Sequence, residues 1–184
     1  MRLFLAVVLP DKVKKQLDLQ LDKIKKEYPQ FTWVAPENFH ITVHFFGERN
    51  DPDKIKKKVS DLLWDRFVFY LYSFGLDVFV NNKLVVYLTF NREKTIEKLA
   101  ETIKSNFDGN SVNIRKFIPH LTLARGPRSS KQQYFVLKKR LEKIDIDISF
   151  KVEKLILLES ILIDNKPIYK EVASFPLNKK DSPG

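Results

Sequence analysis

Apolar positions recur with a helical period in four segments of the chain, at residues 12–27, 52–65, 93–107 and 129–144. In the first segment most of the lysines lie outside the predicted buried stripe, which consists of Val13, Leu17, Leu21 and Ile24. Asp11 and Asn91 precede the first and third segments, where a short polar side chain can accept a hydrogen bond from the first turn. The pattern predicts four amphipathic helices, the first capped by Asp11 and the third by Asn91.

The other apolar segments have the length and composition of β-strands. Residues 2–9 are apolar at almost every position, which predicts a strand buried on both faces. The sequence VNNKL predicts a hairpin turn between a strand-rich stretch at 66–80 and the strand LVVYLTF. Further strands are predicted at FTWV, FHITVHFF, NIRKFIPHLTLAR, DISFKVEKLILLESIL and PIYKEVASFPL. Strands and helices do not alternate strictly, so the predicted class is α+β with mainly antiparallel sheets.

The length of 184 residues fits one domain, or two small lobes that share a core. The tail at 178–184 is expected to be frayed. The apolar run at residues 3–9 is short, ends in Pro-Asp-Lys and lacks a small-residue cleavage site, so it is interpreted as a strand and not as a signal peptide. No stretch approaches the roughly 18 apolar residues that a membrane span needs. We expect a single domain over residues 1–184 that is cytoplasmic and not bound to a membrane.

Composition limits the kinds of site that the chain can build. The chain has no cysteine, which excludes disulfides and thiolate chemistry. It has five glycines and no glycine-rich phosphate loop, so Rossmann and Walker-type nucleotide binding is not expected. The net charge is +10, from 33 Lys and Arg against 23 Asp and Glu. This excess fits a polyanionic partner, and it fits a solvated surface with a lysine bias equally well.

Two of the chain's three histidines lie in the predicted strand FHITVHFF. Side chains alternate along a strand, so His40, Thr42 and His44 are predicted to share one face. The opposite face is apolar and consists of Phe39, Ile41, Val43 and Phe45. The third histidine lies in a second copy of the His-x-Thr motif. His120 and Thr122 are predicted to share one face, opposite Pro119, Leu121 and Leu123. If the two strands lay side by side about a pseudo-twofold axis, the two His-x-Thr pairs would face each other.

Two facing imidazoles have the chemistry needed to cleave a phosphodiester without a metal. In-line cleavage requires a base at the entering oxygen and an acid at the leaving oxygen. The histidine pKa of about 6.5 allows one ring to be neutral while its partner is protonated near neutral pH. Threonine hydroxyls two residues along can donate hydrogen bonds to the non-bridging oxygens, where negative charge concentrates in the transition state.

Metal binding is the rival use of the same histidines. His40 and His44 would lie about 13 Å apart on an extended strand, at ~3.3 Å per residue, which is too far to share an ion. No carboxylate flanks the three histidines at the spacing of metal ligands. We therefore expect neither a metal nor a nucleotide cofactor.

The segments RLFLAVVLP, WVAPENFHITVHFFGE, FIPHLTLAR, LLES and PIY together cover nearly the whole chain. With them the chain resembles the two-histidine phosphoesterase superfamily, and within it the RNA 2′,3′-cyclic phosphodiesterases that are also called 2′-5′ RNA ligases. The resemblance implies a bilobal α+β fold, with two mainly antiparallel sheets, flanking helices and a pseudo-twofold duplication around a central cleft. It also implies an RNA substrate that ends in a 2′,3′-cyclic phosphate, and no cofactor.

The resemblance further implies a role for each residue of the two motifs. His120 would be the base that takes a proton from water, and His40 the acid that protonates the leaving 3′ oxygen. Thr42 and Thr122 would hold the non-bridging oxygens, and the product would be a 2′-phosphate. Attack by a 5′-hydroxyl in place of water would give a 2′-5′ linkage, for example between tRNA halves. The residues alone do not decide which histidine is the acid.

Four further residues are predicted to contact the substrate. Arg125 follows the second motif as in the relatives, where it can meet phosphate, although strict alternation puts it on the face opposite His120. His44 stands where the family often has lysine. Phe4 and Tyr169 are candidates for stacking on a base.

Two other functions remain open from the sequence. A non-catalytic module that binds RNA ends would use the same basic surface, although it would not need two facing histidines. A phosphodiesterase for a small nucleotide, such as ADP-ribose 1″,2″-cyclic phosphate, would use the same chemistry, although the net charge favours a polymer. The sequence has no heptad pattern and no surplus apolar segment, so we expect a monomer.

Overall fold

The computed structural model of the protein describes residues 1–108, 116–164 and 166–179. In this part of the chain the α-helices are α1 (Asp11–Glu27), α2 (Pro52–Leu63), α3 (Lys94–Phe107) and α4 (Lys131–Leu141). The strands of the same residues are β1 (Arg2–Val8), β2 (Thr32–Trp33), β3 (His40–Glu48), β4 (Phe69–Asn81), β5 (Lys83–Phe90), β6 (His120–Arg125), β7 (Ser149–Val152), β8 (Lys154–Ile163) and β9 (Lys166–Pro176).

The strands form two sheets. The four-stranded sheet has the order β3-β1-β8-β9, and the five-stranded sheet has the order β2-β6-β5-β4-β7. Among the described residues, all neighbouring strands within these sheets pair antiparallel. The predicted α+β class with antiparallel sheets is confirmed.

The two sheets repeat one arrangement. β1 pairs with β3 after the chain has passed through α1, and β5 pairs with β6 after the chain has passed through α3. Beyond each pair lie two more strands, which are β8 and β9 in the first sheet and β4 and β7 in the second. β3 and β6 therefore occupy equivalent places, and they pack against each other. They belong to different sheets, so the predicted side-by-side placement occurs by packing and not through a hydrogen-bonded ladder.

The main core lies between the helices and one face of each sheet. Leu3, Leu5 and Val7 of β1 belong to it, together with the apolar stripe of α1. The alternate side chains of β1 form a second cluster on the other face of the first sheet, with members Phe4, Ala6, Ile156 and Leu158. β1 is thus buried on both faces, as its continuous apolar sequence predicted, because a strand inside a sheet can be covered from both sides.

Helix caps differ from the predicted ones. α1 begins at Asp11 itself, and the residue before it, Pro10, makes no side-chain cap. At α3 the side chain of Glu93 accepts a hydrogen bond from the Thr95 backbone N–H, so the cap is Glu93 and not Asn91. The backbone N–H of Asn91 donates to the Tyr72 carbonyl instead, because Asn91 directly follows β5 and continues its pairing with β4.

The strand predicted at 113–125 begins only at residue 120, as β6, and residues 116–119 form no strand. Pro119 precedes β6, and proline cannot donate a hydrogen bond to a ladder. Residues 113–115 of the predicted segment lie outside the described residues. In the predicted tail, Asn178 bonds through its backbone to Arg66 and Val68, whereas residues 180–184 lie outside the described part. None of the helices that the structure describes has the length and apolar character needed to cross a bilayer.

Candidate active site

The two histidines of the repeated phrase begin the two strands that pack against each other. His40 is the first residue of β3, and His120 is the first residue of β6. In both rings Nδ1 bonds to the backbone carbonyl two residues earlier, at 2.7 Å from Asn38 O and 2.9 Å from Ile118 O. A carbonyl oxygen can only accept, so Nδ1 carries the proton in both rings. This leaves Nε2 of each ring to exchange a proton with a substrate.

Each of these imidazoles packs edge-on against a tyrosine. The ring centroids of His40 and Tyr169 are 5.0 Å apart at an angle of 82°. Those of His120 and Tyr87 are 5.8 Å apart at an angle of 81°. Phe4 adds a further ring, 5.1 Å from His40. The two imidazoles thus have similar aromatic neighbours, although the tyrosines come from strands that are not equivalent, Tyr169 from β9 and Tyr87 from β5.

Burial lowers the pKa of the His40 imidazole, because the charged ring loses hydration. The hydrogen bond to the Asn38 carbonyl opposes this effect, and the charges of His120 and Lys14 lower the pKa further. The influence of His120 puts the two imidazoles within electrostatic range of each other. A positive charge on His120 therefore disfavours protonation of His40.

Both threonines lie on the face of the histidine that they follow. Thr42 pairs with Ala6, which belongs to the second apolar cluster. This cluster lies on the sheet face that carries His40, and the space between the sheet faces that carry His40 and His120 is here called the cleft. Thr122 pairs with Tyr87, whose ring packs on His120. Both threonines are partly exposed, so their hydroxyls are accessible to a phosphate in the cleft.

A β-bulge after Thr42 overturns the predicted placement of His44. Thr42 pairs with Ala6 of β1, but the next residue of β1, Leu5, pairs with His44. Val43 therefore has no partner in β1 and is the extra residue of the bulge. His44 pairs with Leu5, a member of the main core, and it is only 8% exposed. The prediction that His44 shares a face with His40 is wrong, because strict alternation ends at the bulge.

His44 instead connects β3 to the end of α3. Its ring packs against Phe46 and Phe107, with centroids 4.8 Å and 6.1 Å away. Its Nε2 lies 3.4 Å from Oδ1 of Asp108. Burial lowers the pKa of His44, and the negative charge of Asp108 opposes that effect. The ring therefore lies behind the strand and does not line the cleft.

The same bulge brings Phe45 to the cleft face. Phe45 pairs with Phe4 of the second cluster, and the two ring centroids are 5.8 Å apart. Phe45 is 66% exposed. The sequence pattern predicted Phe45 for the apolar face, and only the extra residue in β3 reverses this placement.

An equivalent bulge follows Thr122 in β6. Thr122 pairs with Tyr87 of β5, and Ala124 pairs with Val86. Leu123 therefore has no partner in β5 and is the extra residue of the bulge. Arg125 is therefore turned to the face of His120, where strict alternation did not place it. When the two motifs are aligned at His40 and His120, Phe45 and Arg125 occupy the same position, five residues after the histidine.

Phe4 and Tyr169 both lie beside His40. Phe4 is only 2% exposed, so its ring supports His40 and offers little open surface for a base. Tyr169 is partly buried and lines a pocket of about 160 Å³ together with His40 and Glu171. Burial raises the pKa of the Tyr169 phenol, and the positive charge of Arg125 opposes that rise. Arg125 is thus within electrostatic range of Tyr169 across the cleft.

The sequence model of the 2′-5′ RNA ligase superfamily matches residues 10–161. This chain belongs to that superfamily. Curated relatives include an RNA 2′,3′-cyclic phosphodiesterase from Thermotoga maritima, 30% identical over 179 residues, with 92% of each chain covered. Another is the RNA 2′,3′-cyclic phosphodiesterase from Methanothermobacter thermautotrophicus, 30% identical over 183 residues, with 96% of this chain and 98% of the relative covered.

Solved structures share the fold of this superfamily member. E. coli LigT complexed with 3′-AMP matches with a TM-score of 0.73 at 22% identity, covering 96% of this chain and 97% of that chain. A protein of Thermus thermophilus matches with a TM-score of 0.74 at 23% identity, covering 96% of this chain and 98% of that chain. At these identities the likeness concerns the fold alone.

Tyr87, like Phe45, lies at the candidate site and was not predicted there from the sequence. Its hydroxyl donates to Oδ2 of Asp77 at 3.2 Å, and Nζ of Lys138 lies 3.5 Å from Oδ1 of the same carboxylate. Burial raises the pKa of Tyr87 to about 12, and the charge of Asp77 contributes to the rise. The phenol therefore stays protonated and fixed while its ring orients His120. The sequence signal that could have indicated it is the alternation along LVVYLTF, which puts Tyr87 and Thr89 on the face opposite Val86 and Leu88.

The cleft brings together side chains that can exchange protons and side chains that can donate hydrogen bonds to an anion. The first are the imidazoles of His40 and His120, and the second are Thr42, Thr122 and Arg125. In residues 1–108, 116–164 and 166–179, no group of three or more His, Cys, Asp or Glu side chains is placed to hold a metal ion. The residues present suit acid–base chemistry on a phosphate ester.

Proposed function

We propose that this chain hydrolyses RNA ends that carry a 2′,3′-cyclic phosphate and leaves a 2′-phosphomonoester. The proposal is carried by the two equivalent imidazoles, each with Nδ1 bonded to the backbone carbonyl two residues earlier. Two curated relatives at 30% identity are named RNA 2′,3′-cyclic phosphodiesterase, which supports the same substrate class here. A module that only binds RNA would have no need for matching tautomers in two neighbouring rings.

In the proposed mechanism, His120 is the base and His40 is the acid. Nε2 of His120 takes a proton from water, and the water oxygen forms a bond to phosphorus. The bond between phosphorus and the 3′ oxygen breaks, and Nε2 of His40 protonates that oxygen. His120 ends protonated and His40 ends neutral, so proton exchange with solvent restores the starting state. The division of roles rests on the resemblance to the family.

The residues around the histidines would bind the phosphate. Thr42 and Thr122 approach from the two lobes, so their hydroxyls can donate to the two non-bridging oxygens. Arg125 would add a charge-assisted hydrogen bond from the second lobe. Phe45 and Tyr169 border the same space and would contact the ribose or the base.

The proposal also covers the source of the RNA and the state of the protein. RNA ends of the kind found on tRNA halves fit the chemistry, and attack by a 5′-hydroxyl in place of water would join two ends by a 2′-5′ linkage. Both histidines and both threonines belong to one chain, so the proposed site needs no second copy and the protein would act as a monomer. Its proposed place of action is the cytoplasm.

Turnover in the presence of EDTA tests this function. A short RNA with a 2′,3′-cyclic phosphate should be converted to the 2′-phosphate at the same rate with and without EDTA, because no proposed step uses a metal. Chromatography against synthetic 2′- and 3′-phosphate standards identifies the product. Abolition of turnover by EDTA would contradict the metal-free mechanism. RNA binding without ring opening would indicate a binding module, and faster turnover of ADP-ribose 1″,2″-cyclic phosphate than of RNA would indicate a small-nucleotide enzyme.

The pH dependence of kcat/KM tests the assignment of the acid to His40. This parameter reports ionisations of the free enzyme, and an acid must be protonated to act. In the His120→Ala variant only His40 of the pair remains to titrate, so the residual kcat/KM should fall with rising pH around the pKa of His40, which burial lowers below 6.5. In kcat of the same variant the decline should lie at higher pH, because a bound phosphate anion raises the pKa of His40. A residual kcat/KM that rises through this range and then stays level would assign the base to His40.

A further inference from the structure

Three neighbouring aromatic side chains of β4 are exposed on the cleft face of the second sheet. Tyr70, Tyr72 and Phe74, here called the aromatic strip, are 50%, 52% and 76% exposed. Phe69 and Leu71 alternate with them and are buried in the main core, so the strip lies on the opposite face of the sheet. The rings of Tyr70 and Tyr72 are 6.3 Å apart and nearly parallel, at an angle of 27°.

The aromatic strip belongs to the same surface as His120. His120 pairs with Thr89 of β5, and Thr89 pairs with Gly75 of β4. Phe74, next to Gly75, is therefore two strands from His120, a lateral distance of about 10 Å. Tyr72 and Tyr70 lie further along β4 and are more distant from His120 than Phe74 is. A terminal nucleotide bound at the two histidines would not reach these tyrosines, whereas the nucleotides that precede it in the RNA would reach them.

One basic side chain is placed beside the aromatic strip. Lys151 of β7 pairs with Tyr70 on the same face, and its Nζ lies 3.5 Å from Oε1 of Glu153. Arg92 and Lys116 share the carboxylate of Glu97, at 3.0 Å and 3.8 Å. Glu97 belongs to α3, whose buried side chains pack into the main core on the other face of the sheet, so these two cations are held toward the helix side of the sheet.

The other wall of the cleft is less suited to an RNA strand. The pocket beside His40 is lined by two carboxylate side chains, Glu37 and Glu171. Carboxylates repel phosphates at short range. An RNA whose 3′ end lies between the histidines must leave the cleft across one wall, and the second sheet offers three exposed aromatic rings and Lys151 for that path.

We propose that the aromatic strip binds the single-stranded nucleotides that precede the terminal cyclic phosphate, by stacking of their bases on its rings. Stacking is available to every base, so the strip would extend the binding site along the RNA without demanding a sequence. The inference rests on the proposed function, because it takes the 3′ end of the RNA to lie at the histidine pair.

A comparison of a short and a long substrate tests the aromatic strip. KM and kcat are measured for a cytidine 2′,3′-cyclic phosphate mononucleotide and for a hexanucleotide with the same end. Tyr72→Ala should raise KM for the hexanucleotide by about tenfold, the loss of one stacked base, while kcat and the mononucleotide KM stay unchanged. Tyr72→Phe should retain the wild-type KM, because the ring is kept.

Phe135→Ala is the matched control. Phe135 is also an exposed aromatic residue, at 48%, but it lies on α4, whose Leu137 and Leu141 pack into the main core on the other side of the sheet. The Phe135→Ala variant should leave the KM of both substrates unchanged. The melting temperature of each variant shows whether it is folded. The inference is overturned if Tyr72→Ala and the variant with all three rings replaced leave the hexanucleotide KM unchanged, or raise both KM values equally. If wild type opens neither substrate, the proposed function fails, and binding of a fluorescent hexanucleotide to the same variants still decides the role of the strip.

Discussion

Replacement of either His40 or His120 by alanine should slow the opening of a 2′,3′-cyclic phosphate by about 10²- to 10⁴-fold, because each variant removes one proton-transfer group from the transition state. The loss should appear in kcat, since the phosphate would still be held by both threonines and by Arg125. Single-turnover rates with a short RNA measure it, together with the Kd of the same RNA bearing an unreactive 2′-methoxy-3′-phosphate end. The double variant should lose little more than either single variant, because acid and base act in one step.

His44→Gln is the control for this prediction. His44 lies on the core side of β3, where it contacts Phe46, Phe107 and Asp108 and not the cleft. Its replacement should lower the melting temperature and leave kcat nearly unchanged. A variant at His40 or His120 that keeps wild-type kcat would contradict the paired-histidine mechanism. A large loss of kcat in His44→Gln, in protein that remains folded, would contradict the placement of His44 away from the reaction.

Replacement of either motif threonine by valine should lower kcat by about 10²- to 10³-fold, the effect of removing one donor to a developing oxyanion. Valine keeps the shape of the Thr42 or Thr122 side chain and removes only the hydroxyl. KM should change little, because the charge on the non-bridging oxygens is greatest in the transition state. Steady-state kinetics on the mononucleotide isolate this effect from contacts with the rest of an RNA.

Thr89→Val is the matched control for the threonines. Thr89 lies on the same face, opposite His120, but its hydroxyl already donates to the Gly75 carbonyl at 2.8 Å. Its loss should cost about 1 kcal/mol of stability, typical of one hydrogen bond, with little effect on kcat. If Thr42→Val and Thr122→Val behave like Thr89→Val, the threonine hydroxyls do not stabilise the transition state.

Much of the fold could be predicted because it depends on local periodicity. The stripe Val13, Leu17, Leu21 and Ile24 is buried in α1 as predicted, and its residues belong to the main core. The cap of α3 was not predictable in the same way. Asn91 and Glu93 both have side chains that can accept from a helix N-terminus, and the choice of Glu93 follows from the bond that ties the Asn91 backbone to Tyr72 in the neighbouring strand.

The surroundings of the two motifs were predictable only in part. Alternation correctly placed His40 with Thr42 and His120 with Thr122, because each pair precedes its bulge. Beyond the bulge the same rule failed for His44, Phe45 and Arg125. A bulge depends on the match between two paired strands, and no property of either strand alone specifies it.

The sequence by itself determined the helices and most strands, the burial of β1 on both faces, and the two His-x-Thr pairs, because these follow from the spacing of apolar and polar side chains along one segment. The tertiary structure alone decided that β3 and β6 lie in different sheets and pack against each other. It also decided that the bulges turn Phe45 and Arg125 into the cleft and His44 away from it. Register and packing arise between segments that are far apart in the chain, so their outcome becomes visible only when the partners are in place.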